Sequence, residues 1–211
     1  CPINSLNPLI FVSDLREIDA AFTPLKNIGI ISNLKKLETL NLGNTLIDTL
    51  PKFEQLQHLR TLELNNTPFR RIDSLASLSK LVNLNLSRCI LDDFSPLNAL
   101  RKLQILNLDS TNITDLKVLD SLQSLIILQV NGTRIHNLLP LSHLSNLKYI
   151  YCDYSGIHLE QSEAFNALQP HCQVIFNSEK LENWWAGLND VWKKVFRSYT
   201  KLSATVTKEQ L

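Results

Sequence analysis

The residues with the clearest chemical potential are four cysteines and five histidines. His171 stands next to Cys172, and a thiol beside an imidazole is a possible nucleophile. The sequence around this pair offers no orienting residue and no oxyanion site. There is also no C-x-x-C pair for zinc and no glycine-rich phosphate loop, so we predict no catalytic, metal or cofactor site and a protein that is not an enzyme.

Charge and hydropathy exclude two further classes of partner. Lysine and arginine total 21 against 20 aspartate and glutamate residues, which leaves a net charge of +1 and no basic field for nucleic acid. The apolar runs are too short for a transmembrane helix, so membrane insertion is not expected.

The sequence is periodic, with a step of 22 residues. The stretch LKKLETLNLGNTLIDTL at 34–50 recurs as the template L-x-x-L-x-x-L-x-L-x-x-T-x-I-x-x-L. The L-x-L part predicts a short strand whose leucines both point inward. The threonine column consists of Thr23, Thr45, Thr67, Cys89, Thr111, Thr133 and Ser155. Small hydroxyl side chains there predict hydrogen bonds to the backbone of the turn, a purely structural role.

This pattern resembles the leucine-rich repeat family, in the 22-residue bacterial class found in internalins. The resemblance implies an α/β solenoid, curved, with a parallel sheet on its concave face and a C-terminal helical cap. The convex side is expected to carry short 3₁₀ turns, and Pro8, Pro96 and Pro140 suit their first residues. A narrower resemblance, to modular repeat proteins of gut-type Bacteroidetes, rests on the segment WWAGLNDVWKKVF.

The period also predicts the organisation of the chain. Residues 1–160 are assigned to the repeats, with a partial repeat at 1–7 followed by seven repeats of 22 residues. Residues 161–200 are assigned to a cap with an amphipathic tryptophan-containing helix, for which Ser178 is the predicted N-cap. Residues 201–211 are a linker or the start of a further module.

The cysteines follow the same register. Cys1 falls in the threonine column, so it is better explained as the tail of an earlier repeat than as a lipid-bearing or catalytic residue, and we expect the chain to be cut from a longer array. Cys89 and Cys152 occupy inward columns as small apolar fillers. A Cys152–Cys172 bridge remains open, and unpaired thiols favour a reducing compartment.

Residues between the inward leucines are expected on the concave face. The column after the strands, which includes Asp153, is expected there too. The face becomes apolar and aromatic toward the C-terminal end, where tyrosines are typical of protein interfaces. The candidate partner-binding residues are Glu63, Asn85, Ile105, Asn107, Ile127, Gln129, Tyr149, Tyr151 and Tyr154.

Two functions are consistent with such a surface. The first is a non-enzymatic protein–protein interaction module with a rigid concave binding surface. The alternative is a targeting or recognition segment of a larger enzyme, effector or surface adhesin whose active part lies elsewhere. A third possibility is that these side chains are only solvated or are covered by the cap.

Overall fold

The computed structural model describes residues 5–178, 183, 186–191 and 193. Its described part contains an eight-stranded parallel sheet in which every strand pairs with the next along the chain. The strands are β1 Glu17–Asp19, β2 Thr39–Asn41, β3 Thr61–Glu63, β4 Asn83–Asn85, β5 Ile105–Asn107, β6 Ile127–Gln129, β7 Tyr149–Tyr151 and β8 Gln173–Ile175. The sheet is open and curved, which confirms the predicted solenoid.

The register of the sheet reproduces the sequence period. From β1 to β7, each residue pairs with the residue 22 positions later, for example Leu40 with Leu62 and Leu106 with Leu128. The middle residue of each of these strands is buried, while its two neighbours point to the open face. Single coils cannot bury these leucines, but stacked coils bury them in one continuous core.

Short helices form the opposite side of the coils, as the 22-residue period predicts, except between β2 and β3, where the described chain has none. The 3₁₀ helices of the described part are Asn7–Phe11, Gly29–Asn33, Asp73–Ser77, Ser95–Ala99, Leu116–Leu119 and Leu139–Leu141. Pro8, Pro96 and Pro140 occupy the first or second position of three of them, where a missing N–H costs no hydrogen bond, so that prediction is confirmed.

The period ends after β7. The α-helix α1, Leu159–Asn166, buries Phe165 completely and begins with a capping box in which the Gln161 side chain accepts from the His158 N–H at 3.0 Å. Strand β8 then extends the sheet, and Gln173 pairs with Tyr149, 24 positions earlier. Pro170 lies in the turn between α1 and β8.

Several sequence-based predictions fall on residues that the structure does not describe. Cys1, the three tryptophans of the predicted cap helix and residues 201–211 lie outside the described residues. The division into repeat block, cap and linker therefore stays a prediction.

The inward leucines predict a clear stability contrast within one strand. Leu106 is fully buried at the centre of β5, while the adjacent Ile105 is 37 % exposed. Replacing Leu106 with alanine leaves a cavity, and we expect the free energy of unfolding to fall by about 2–5 kcal/mol. Urea denaturation measures this loss, with Ile105→Ala as the matched control that loses much less. Equal losses of stability in the two variants would contradict the placement of Leu106 in the core and Ile105 on the open face.

Candidate binding surface

The open face of the sheet presents two columns of side chains, the first and third residues of each strand. We call these two columns the concave face. The first column is Glu17, Thr39, Thr61, Asn83, Ile105, Ile127, Tyr149 and Gln173. The third column is Asp19, Asn41, Glu63, Asn85, Asn107, Gln129, Tyr151 and Ile175. Because register fixes neighbours in a parallel sheet, each column is a line of adjacent side chains.

The structure places most of the predicted site residues on this face. Ile105, Ile127 and Tyr149 lie in the first column, whereas Glu63, Asn85, Asn107, Gln129 and Tyr151 lie in the third. Tyr154 does not: it is in the turn after β7, where it has a φ of 55° and is 72 % exposed. It therefore stands at the rim of the concave face.

Apolar and aromatic side chains gather at the C-terminal end of the concave face. Ile127 and Tyr149 are register partners, and the Tyr149 and Tyr151 rings lie 6.5 Å apart with 25° between their planes. Ile175 of β8 pairs with Tyr151 and is partly buried. We call Ile105, Ile127, Tyr149, Tyr151 and Ile175 the apolar patch. Stacked tyrosines of this kind present a large contact area at a low cost in conformational entropy.

The sequence did not predict Ile175 as a residue of the concave face, because it lies after the point where the 22-residue period ends. Its register position depends on the length of the insertion that holds α1, and no 22-residue count reaches it. The alternation in CQVIF was the one available signal, and it indicated a strand without indicating a partner.

Two of the predicted contact residues already make bonds within their own coil. The Asn85 side-chain oxygen accepts from the Ser87 N–H at 3.0 Å, and the Asn107 oxygen accepts from the Asp109 N–H at 2.8 Å. Asn41 makes the same bond to the Gly43 N–H. These Asx turns satisfy the first free N–H after each strand, so the three amides have a structural role.

The last coils satisfy the same N–H in another way. Gln129 and Tyr151 replace the asparagine, and the N–H groups of Asn131 and Asp153 instead bond across to the preceding coil. The Asn131 N–H donates to Asp109 at 2.7 Å, and the Asp153 N–H donates to Asn131 at 2.8 Å. We call Asp109, Asn131 and Asp153 the side-chain ladder.

The position of Asp153 in the ladder contradicts one prediction. Asp153 was expected on the concave face with the rest of its column, but it is 2 % exposed. Its carboxylate accepts the Ser178 N–H and the Ser178 hydroxyl, both at 2.7 Å. The three ladder residues lie beyond the strand ends, and their side chains accept backbone N–H groups. Ser178, the predicted helix N-cap, is thus tied to the end of the ladder.

The threonine column has the predicted structural role. Each hydroxyl donates to the carbonyl three residues earlier, at 2.8 Å from Thr45 to Leu42 and 2.7 Å from Thr111 to Leu108. The residue just before the column is left-handed in each of the seven coils, with Gly132 and six non-glycine residues at φ of 54–64°. The hydroxyl bond helps to hold this tight turn.

The cysteines carry no activated thiolate among the described residues. Cys89, Cys152 and Cys172 are buried and free. Burial raises the pKa of Cys172 to about 12, and burial together with the Asp153 charge raises the pKa of Cys152 to about 12. A nucleophilic cysteine needs a lowered pKa, so the Cys172 thiol beside His171 is tuned in the opposite direction.

The described part of the chain lacks two further features. It holds no group of three or more histidine, cysteine or acidic residues placed to bind a metal ion. None of its helices combines the length and the apolar character that crossing a membrane requires.

Comparison with known proteins agrees with this geometry. Residues 13–55 match the family model for leucine-rich repeats, in two copies. This stretch of the chain consists of leucine-rich repeats. Internalin C2 of Listeria monocytogenes has a similar structure, with a TM-score of 0.75, 23% identity, and coverage of 83% of this chain and 77% of that one. The fold is therefore that of the internalin solenoids, as the repeat predicted.

Two other solved structures are similar over a smaller share of their own length. An internalin (InlF) of L. monocytogenes gives a TM-score of 0.63 at 21% identity, covering 83% of this repeat protein and 58% of that chain. A leucine-rich repeat protein of Leptospira interrogans gives 0.54 at 23% identity, covering 81% and 57%. A search of the curated proteins finds no match. The narrower resemblance to Bacteroidetes proteins stays a prediction.

The side-chain ladder predicts a rescue experiment. Replacing Asp109 with alanine leaves the Asn131 N–H without its acceptor, and we expect the free energy of unfolding to fall by about 1–3 kcal/mol. Adding Gln129→Asn supplies a local acceptor of the kind found at Asn85, so the double variant recovers part of the loss in urea denaturation. Gln129→Asn alone is the control, with little effect. A double variant no more stable than Asp109→Ala would refute the exchange of acceptors.

The raised thiol pKa values predict protection from labelling. At pH 8 we expect Cys89, Cys152 and Cys172 to react with iodoacetamide far more slowly in the folded protein than in urea, because burial keeps the thiols protonated and inaccessible. Mass spectrometry of the digested chain measures each site separately. Rapid labelling of Cys152 in the folded protein would contradict its placement.

Proposed function

We propose that this repeat protein is a non-enzymatic protein-interaction module that binds a protein partner on its concave face. The observation that carries the proposal is the apolar patch, in which three isoleucines and two stacked tyrosines stand on the open side of a sheet. Ile105 is exposed and the other four residues are partly exposed. Apolar clusters with tyrosine that reach solvent are typical of protein interfaces, whereas isolated exposed apolar residues are common everywhere.

The rigidity of the surface supports the same function. Each strand is hydrogen-bonded to its neighbours, and the side chains beneath it are fully buried from Leu40 to Ile150. A partner that docks on such a surface loses little of its binding free energy to ordering the protein. The two tyrosines have few rotatable bonds, which limits the entropy cost further.

The chemistry of the concave face favours protein over nucleic acid. No lysine or arginine occupies either column of the described strands. Binding to nucleic acid depends mainly on cationic side chains that neutralise phosphate groups. The concave face instead offers phosphate groups acidic, amide and apolar side chains. The buried cysteines with raised pKa values and the absence of a metal cluster in the described part give no support for an enzyme.

The alternative function, as a recognition segment of a larger enzyme, effector or adhesin, uses the same surface. The repeat protein spans 58% of the internalin InlF, so a longer protein of this fold has room for further parts. In that case the concave face would select the target, and the activity would lie in those parts.

Affinity capture with matched variants tests the concave face. The bait is the wild-type chain beside a triple variant with Gln129, Tyr149 and Tyr151 changed to alanine, and we expect the partner to be lost from the variant. Loss of central aromatic anchors commonly weakens binding by about 2 kcal/mol or more each. Circular dichroism confirms that each bait is folded.

The control bait carries Asn98→Ala, Leu139→Ala and Leu168→Ala, which also removes one amide and two exposed apolar side chains but leaves the concave face intact. A partner lost from the concave variant and kept by the control supports the proposal. A partner kept by the concave variant and lost from the control would move the site to the helical side.

A further inference from the structure

Charge divides the concave face into two halves. The three charged residues in the columns of the described strands are all acidic, Glu17, Asp19 and Glu63, and all belong to β1–β3. Strands β4–β8 contribute only amides and apolar or aromatic residues to the two columns. The face therefore has an acidic half and, beside it, an uncharged half that contains the apolar patch.

Glu63 is the acidic residue nearest the apolar patch. Its register partners on either side are Asn41 and Asn85, and its side chain is half-buried. Among the described residues, no salt bridge or side-chain hydrogen bond involves its carboxylate, including any from Arg60, three positions earlier. By contrast, Asp19 accepts the Ala21 N–H, and Glu38 at the strand edge pairs with Arg16.

A half-buried carboxylate without a cation becomes costly when a partner covers it. Removing its remaining water without compensation opposes binding, whereas a cation from the partner turns the same residue into a charge-assisted contact. Glu63 thus penalises a purely apolar or acidic partner and favours one with lysine or arginine at this point.

The sheet also sets the spacing between the two contacts. Neighbouring strands lie about 4.8 Å apart, so β3 is roughly 10 Å from β5 and roughly 19 Å from β7. A cation on Glu63 and an anchor between Ile105 and Tyr149 must therefore be about 10–20 Å apart on the partner.

We propose that the partner is a protein with a lysine or arginine that pairs with Glu63 and an apolar or aromatic anchor that packs on Ile127, Tyr149 and Tyr151. This inference rests on the proposed function and specifies the chemistry of its partner. Glu63 is the specificity determinant, because it separates basic–apolar partners from other apolar surfaces, while the apolar patch supplies most of the affinity.

A library of small three-helix proteins with one randomised face tests this directly. The library is displayed on phage and selected on the wild-type chain, and each clone is then tested against Tyr149→Ala/Tyr151→Ala. Clones that lose binding to this double variant use the concave face. Among them we expect lysine and arginine to outnumber aspartate and glutamate at the randomised positions, relative to the unselected library.

Charge variants then test the role of Glu63. For those clones we expect Glu63→Gln to weaken binding about tenfold at low salt and less at about 0.5 M salt, where exposed charges are screened. Glu63→Lys is expected to weaken it further. The control is Glu54→Gln, the same change at an exposed turn outside the concave face, with no effect.

The outcomes separate the two proposals. Tyrosine-dependent clones without excess positive charge, or with equal affinity for Glu63→Gln, overturn the inference and leave the concave binding face standing. Selection that yields no tyrosine-dependent clones overturns both. Analytical sedimentation of the free chain is one further test. If the wild-type chain forms dimers and the Tyr149→Ala/Tyr151→Ala variant does not, a second copy of the chain occupies the concave face. That result also overturns the inference.

Discussion

Burial of the inward leucines depends on neighbouring coils, and the rest of the structure follows from that dependence. Each described strand has three residues, with one inward side chain at its centre, which cannot exclude water unless coils stack on both sides. Stacking at a constant register makes the sheet parallel and turns equivalent positions into columns. The concave face exists because the residues on either side of each inward leucine have nowhere to point except outward.

The turn after each strand links structure to function. Its first free N–H needs an acceptor, and in β2, β4 and β5 the outward asparagine of the strand provides it. In β6 and β7 the ladder takes over that role from the preceding coil. Gln129 and Tyr151 are thereby released from turn formation. The stacked tyrosines thus lie where another column of side chains satisfies the N–H of the turn.

The C-terminal end uses the same elements to finish the core. Helix α1 covers the last leucines with Phe165, and β8 adds Val174 to the core and Ile175 to the face. Asp153 ties Ser178, three residues after β8, to the repeats through two hydrogen bonds. The apolar patch is therefore built across the junction between the last repeat and the segment that follows it.

The architecture follows from the sequence alone, because a constant period of 22 residues has few physical solutions. Inward and outward positions, the inward placement of Cys89 and Cys152, the turn threonines and the prolines of the 3₁₀ helices all follow from counting in that period. Only the folded chain shows which acceptor each turn uses, that Asp153 is buried and that Ile175 pairs with Tyr151. These depend on side chains 22 or more residues apart meeting at one place. The spacing of stacked coils sets that geometry. At α1 the strands pair 24 residues apart instead of 22, so the period no longer predicts which residues are neighbours.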